Sequence, residues 1–88
     1  MSDNKDDSAF KQQLDDHHEW PSKYLFKFIV PSGQEEEFKN IFPEEVLKFR
    51  FSKEKKYISI SAHVMMSSSE EVMEIYRKAY RIKGVISL

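Results

Sequence analysis

The sequence predicts an α+β domain with the element order β-α-β-β-α-β, and three observations predict it. The stretches 23–30, 46–52 and 57–66 alternate apolar and polar residues with the period of two that a strand imposes. Two Ser-x-x-Glu patterns, Ser32 with Glu35 and Ser67 or Ser68 with Glu70 or Glu71, each precede apolar residues at helical spacing. The 88 residues are 40% hydrophobic and 33% charged, a globular balance in a chain with room for one small core. Two β-α-β halves joined by right-handed crossovers then give a four-stranded antiparallel sheet with two helices on one face, the ferredoxin-like arrangement.

The first strand places Tyr24, Phe26, Phe28 and Val30 on one side and Leu25, Lys27 and Ile29 on the other. Pro31-Ser32-Gly33 stops it. Glu35, Glu36 and Glu37 suit the positive end of a helix, Phe38, Ile41 and Phe42 share its apolar face, and Pro43 ends it, so a short helix is expected over 34–42. In the second strand Leu47, Phe49 and Phe51 oppose Lys48 and Arg50. The polar run Lys53-Glu54-Lys55-Lys56 makes the hairpin loop, without an Asn-Gly type of turn signal. The third strand sets Ile58, Ile60, Ala62 and Val64 against Tyr57, Ser59, Ser61 and His63. Val72, Ile75, Tyr76, Ala79 and Ile82 carry the second helix through three turns, with Arg77, Lys78, Arg81 and Lys83 toward its negative end and Gly84 as an αL cap. Residues 85–88 form a last short strand.

Charge divides the chain at Trp20-Pro21. Residues 1–19 hold six acids against Lys5 and Lys11, whereas residues 20–88 hold nine acids against twelve Lys or Arg. The first segment has only Phe10 and Leu14 as sizeable apolar residues. One i,i+4 pair does not offset the entropy of ordering the segment, so 1–19 is expected to be a flexible acidic tail and 20–88 the single domain.

Several function classes fall away on composition. Without cysteine there is no disulfide scaffold, thiolate zinc site or thiol nucleophile. No apolar run spans a bilayer and the acidic start lacks an apolar signal region, so a cytoplasmic location is expected. A formal net charge of −1 exerts no general pull on nucleic acid or anionic lipid.

The string 20–27 (Trp20, Pro21, Ser22, Lys23, Tyr24, Leu25, Phe26, Lys27), the hairpin residues Ser52-Lys53 with Tyr57 and Ser59, and the stretch from Glu71 to Tyr76 through 84–88 resemble the YbeD-like family of small bacterial proteins of unknown function. The likeness covers 20–88 and rests on packing patterns. It implies a fold akin to the regulatory ACT domains, which bind amino acids at domain interfaces, and it brings no catalytic residues.

The residues themselves point the same way. The expected domain has one histidine, His63, in mid-strand, and no aspartate. Ser59 and Ser61 share its face, but successive same-face strand residues lie ~7 Å apart, too far to form a nucleophile and base pair unaided. No catalytic residue and no cofactor is therefore expected. Asp15-Asp16-His17-His18-Glu19 offers competent metal-ligand types, yet without a distant third ligand it reads as solvated linker. Gly33 and Gly84 are isolated and open no phosphate-binding loop.

What remains is surface. The open sheet face is expected to carry Leu25, Lys27, Ile29, Tyr57, Ser59, Ser61 and His63, with Met65 and Val85. An apolar-leaning face without helices over it is tolerated, covered by the tail or buried in a partner. A homodimer through sheet faces or edges is the leading expectation, and Met73 with Tyr80 forms a second contact candidate, with peripheral core as the equal alternative for that pair. The function expected is a non-catalytic regulatory or interaction module for a small metabolite or a protein partner. The alternative is nucleic-acid association through the basic hairpin residues Lys48, Arg50, Lys53, Lys55 and Lys56, although lysine on an edge strand also blocks strand-to-strand aggregation. No RRM signature is present, and Tyr57 alone would offer a stacking ring on that face.

Overall fold

A computed structural model describes residues 3–88, with side chains from Ser8 onward. In chain order the elements are α1 (Asp3–His17), β1 (Ser22–Pro31), β2 (Leu47–Phe51), β3 (Tyr57–Met66), α2 (Ser69–Ala79) and β4 (Ile86–Ser87). The sheet runs β2-β3-β1-β4 with every neighbouring pair antiparallel, as a ferredoxin-like fold requires. The two aromatic and aliphatic strands occupy the centre. Phe26, Phe28 and Val30 of β1 and Ile58 and Ile60 of β3 are all fully buried, and Phe28 lies opposite Ile60 in the register. Phe38, Phe42, Val72, Ala79 and Ile82 close over them from the helical side. Tyr24 is half-buried rather than enclosed, and its hydroxyl hydrogen-bonds the Tyr76 hydroxyl at 3.1 Å.

Two local features differ from the sequence expectation. The first crossover is a pair of 3₁₀ turns, Glu35–Asn40 and Glu44–Val46, and not an α-helix over 34–42. The nine residues between Gly33 and Pro43 gain little from α propagation, and the tighter coil delivers Phe38 and Phe42 to the core. The Ser32 capping box does not form. Gln34 is the cap residue, with no side-chain bond, and the Glu35 carboxylate accepts instead from the Gly33 N–H at 2.7 Å. At α2 the cap forms: Ser68 Oγ accepts from the Glu71 N–H, and the Glu71 carboxylate reaches back one residue past the cap to accept from the Ser67 N–H at 2.6 Å. Gly84 has φ +79°, and a β-carbon there would meet Pro31 Cγ at 2.7 Å, so both conformation and space demand glycine.

The largest departure is at the amino terminus. Where the sequence leads one to expect a flexible tail over 1–19, the structure has the helix α1, packed on α2. Leu14 joins the core at 5% exposure, and the Phe10 ring meets that of Tyr76 edge-on at 5.5 Å. Asp15 near the end of α1 accepts a hydrogen bond from buried Ser69 at the start of α2, another from Trp20 Nε1 at 2.9 Å, and an ion pair from Lys11. These donors hold its carboxyl below the ordinary carboxylate value. The layer that α1 adds also encloses Met73, which is core and not a surface contact; Tyr80 remains exposed. No helix among the described residues is long and apolar enough to cross a membrane.

Candidate interaction surface

Strand alternation puts every second residue of the sheet on the face opposite the helices. In β1 these are Lys23, Leu25, Lys27 and Ile29; in β3, Tyr57, Ser59, Ser61, His63 and Met65; in β2, Lys48 and Arg50; and in β4, Ile86. The register arranges them in cross-strand rows. Lys48, Ser61 and Lys27 stand side by side, then Arg50, Ser59, Ile29 and Ile86, while Leu25 faces His63 and Lys23 faces Met65. The expected set Leu25, Lys27, Ile29, Tyr57, Ser59, Ser61 and His63 thus shares one face. Val85 does not join it: its side chain packs against the core, and Ile86 takes the open-face place.

The basic hairpin patch divides in two. Lys48 and Arg50 lie on the open face beside Lys27, whereas Lys53, Lys55 and Lys56 occupy the turn beyond the strand ends. Ser52 organises that turn, its hydroxyl accepting from the N–H groups of Lys56 and Tyr57, with Lys55 in the left-handed region at φ 60°. The residues missed on the face, Lys23 and Ile86, differ in their signals. Lys23 shares the parity of Lys27 and was legible; Ile86 emerges only from the pairing of β4 with β1.

Two shallow depressions mark the face. One, about 270 Å³, is lined by Ile29, Arg50, Phe51, Ser52, Tyr57 and Ser59. The other, about 440 Å³, is lined by Leu25, Glu45, Val46, Lys48, Ser61 and His63. Along the strands themselves the open face carries no carboxylate, and Glu45 stands at its rim. The ion pairs among the described residues lie elsewhere, joining Lys39 to Glu36 and Glu44, Arg77 to Glu70 and Glu74, Lys11 to Asp15, and Lys56 to Glu54. On the open face Leu25, Met65 and Ile86, at 52%, 57% and 54% exposure, interleave with Lys23, Lys27, Lys48 and Arg50.

The helical side has a different character. A groove of about 100 Å³ between α1 and α2 is lined by Phe10, Met73, Tyr76, Arg77 and Tyr80. Burial, together with the hydrogen bond to Tyr24, pushes the Tyr76 hydroxyl well above the ordinary phenol value, so it stays neutral and structural. Three of the five residues from Asp15 to Glu19 have partners within the fold, Asp15 with Trp20 and Lys11 as above. Asp16 accepts from Gln12, and His18 stacks on Trp20 and hydrogen-bonds Ser22. Among the described residues no group of three or more His, Asp or Glu gathers as metal ligands would.

The family model described as a protein of unknown function, DUF493, matches residues 15–88. That span begins inside α1, at Asp15. No curated protein matches the chain, and no solved structure does.

Proposed function

The chain belongs to the DUF493 family, the YbeD-like small proteins of unknown function, and from that premise we propose that it is a non-catalytic docking module whose open sheet face binds an acidic segment of a partner protein. One observation carries this reading: Lys23, Lys27, Lys48 and Arg50 interleave with Leu25, Ile29, Met65 and Ile86 on a face whose strands bear no carboxylate. Exposed aliphatic area supplies affinity when it is covered, and the cations select for an anionic partner and speed its approach. The depressions are open and shallow, which suits an extended chain better than a small metabolite. Base stacking would draw on Tyr57 and His63, whereas the bulk of the face is aliphatic, which favours protein over nucleic acid. A second copy docked face to face would bring Lys27, Lys48 and Arg50 against one another, and the reading therefore favours a different partner over the homodimer.

The test selects a randomised peptide library on the full chain, with Lys27→Glu/Lys48→Glu/Arg50→Glu as counter-selection. The expected result is enrichment of sequences combining Asp or Glu with Leu, Ile or Val, lost in the triple variant. Enrichment indifferent to the triple substitution, or tighter binding of an oligouridine probe than of any selected peptide, overturns the proposal.

A further inference from the structure

The edge of the sheet gives this docking reading a geometry. β2 pairs with β3 on one side, and the sheet order leaves its other side at the sheet boundary, with backbone N–H and C=O groups unclaimed by the ladder. Its side chains are sorted by face. Lys48 and Arg50 point to the open face, while Phe49 and Phe51, opposite Ile60 and Ile58, point to the helical side. There they are not enclosed: Phe49 is 36% exposed and Phe51 56%, although the fully buried Ile58 and Ile60 are their cross-strand neighbours. The 3₁₀ crossover seats Phe38 and Phe42 over the centre of the sheet and leaves the outer strand only partly covered.

We infer that an acidic strand of a partner protein adds to the free edge of β2, its Asp or Glu residues meeting Lys48 and Arg50 on one face and its apolar residues covering Phe49 and Phe51 on the other. The proposal rests on the docking reading above and specifies how the acidic segment is held. Such strand addition derives affinity from main-chain hydrogen bonds and specificity from alternate side chains. The alternation demanded of the partner mirrors that of β2: acid, apolar, acid, apolar.

Charge also argues against a second copy at this edge. Antiparallel pairing of two β2 strands about Phe49 sets Lys48 of each opposite Arg50 of the other. Pairing about Lys48 or about Arg50 instead sets that central cation against its own copy. Like charges directly opposite on a sheet destabilise the pair, so the cations that discourage self-association favour an acidic strand.

The probe is a synthetic peptide of the length of β2 that alternates Glu with Val, titrated into the full chain by fluorescence anisotropy. A second version carries N-methyl groups on alternate backbone nitrogens, in both phases. Binding should weaken roughly tenfold or more in the N-methyl phase that removes the ladder donors, the worth of one or two hydrogen bonds. Binding should likewise be lost in Lys48→Glu/Arg50→Glu, whose exposed positions leave the melting temperature unchanged. Hydrogen exchange of the complex should protect those amides of β2 that point away from β3. If the unmodified peptide binds through Lys48 and Arg50 while both N-methyl phases bind equally and the β2 amides gain no protection, strand addition is overturned and face docking stands. If neither peptide binds while the library yields acidic ligands for the open face, the edge proposal alone falls. A library without such ligands overturns both.

Discussion

Replacing Leu14 by alanine tests whether α1 belongs to the folded unit. Leu14 is 5% exposed within the core cluster, and the substitution removes its isopropyl group from apolar surroundings. Three carbon groups at ~0.8 kcal/mol each come to ~2.4 kcal/mol, and the cavity left behind moves the loss into the ~2–5 kcal/mol range of buried Leu→Ala changes. A chain of 88 residues stable by ~0.05–0.15 kcal/mol per residue has only about 4–13 kcal/mol in total, so a large fraction disappears. The corresponding fall in melting temperature is at least ~10 °C and up to ~40 °C for a domain of this size. Urea unfolding followed by circular dichroism measures the global change. Trp20 fluorescence follows the same transition locally, because the indole N–H is bonded to Asp15 of α1. Gln13→Ala, an exposed neighbour, should stay within ~0.5 kcal/mol of the parent. If Leu14→Ala does no more than Gln13→Ala, α1 contributes nothing to stability and residues 1–17 are an appendage.

Two further outcomes follow from the same packing. Gly84→Ala should cost at least ~1–2 kcal/mol for the left-handed conformation, and more for the contact with Pro31, read as a lowered urea midpoint with an unchanged slope. Asp15 has its carboxyl held below its ordinary value of 3.8 by Ser69, Trp20 and Lys11, so its stabilisation is present above the unfolded value and is lost as pH falls through the folded one. Asp15→Asn should therefore flatten the acid limb of a pH–stability curve below about pH 4 and leave the neutral-to-alkaline limb parallel to the parent's.

The strands were legible because a buried sheet face writes its pattern residue by residue. Phe26, Phe28, Ile58 and Ile60 alternate with polar or mixed neighbours, and the alternation is visible without knowing what covers them. The Ser68 cap was legible for a related reason, since it answers to hydrogen bonding within a few residues. The sequence predicts Gly84 as the αL cap of α2, but that helix ends at Ala79 with Tyr80 as its cap, and the left-handed Gly84 lies beyond it, against Pro31. The candidate surface was half legible. Parity puts Leu25, Lys27 and Ile29 together on one strand and Tyr57, Ser59, Ser61 and His63 together on another. Only the register shows that Lys27 and Lys48 flank Ser61, and that Lys53, Lys55 and Lys56 stand apart from them.

α1 lay beyond reach for the opposite reason. Phe10 and Leu14 are a single apolar pair in an acidic segment, and in isolation that pair cannot order fifteen residues. The helix is worth forming only where Met73, Tyr76 and Ser69 of α2 already present a surface for Phe10, Leu14 and Asp15. The exposure of Phe49 and Phe51 is likewise a tertiary fact, because alternation names the face a side chain points to and not whether anything lies over it. The sequence by itself determined the strands and the α2 cap, whose stabilising contacts are short-range or strictly periodic. The docking of α1 and the uncovered edge of β2 were decided by tertiary structure, since each depends on surfaces that exist only after distant segments have met.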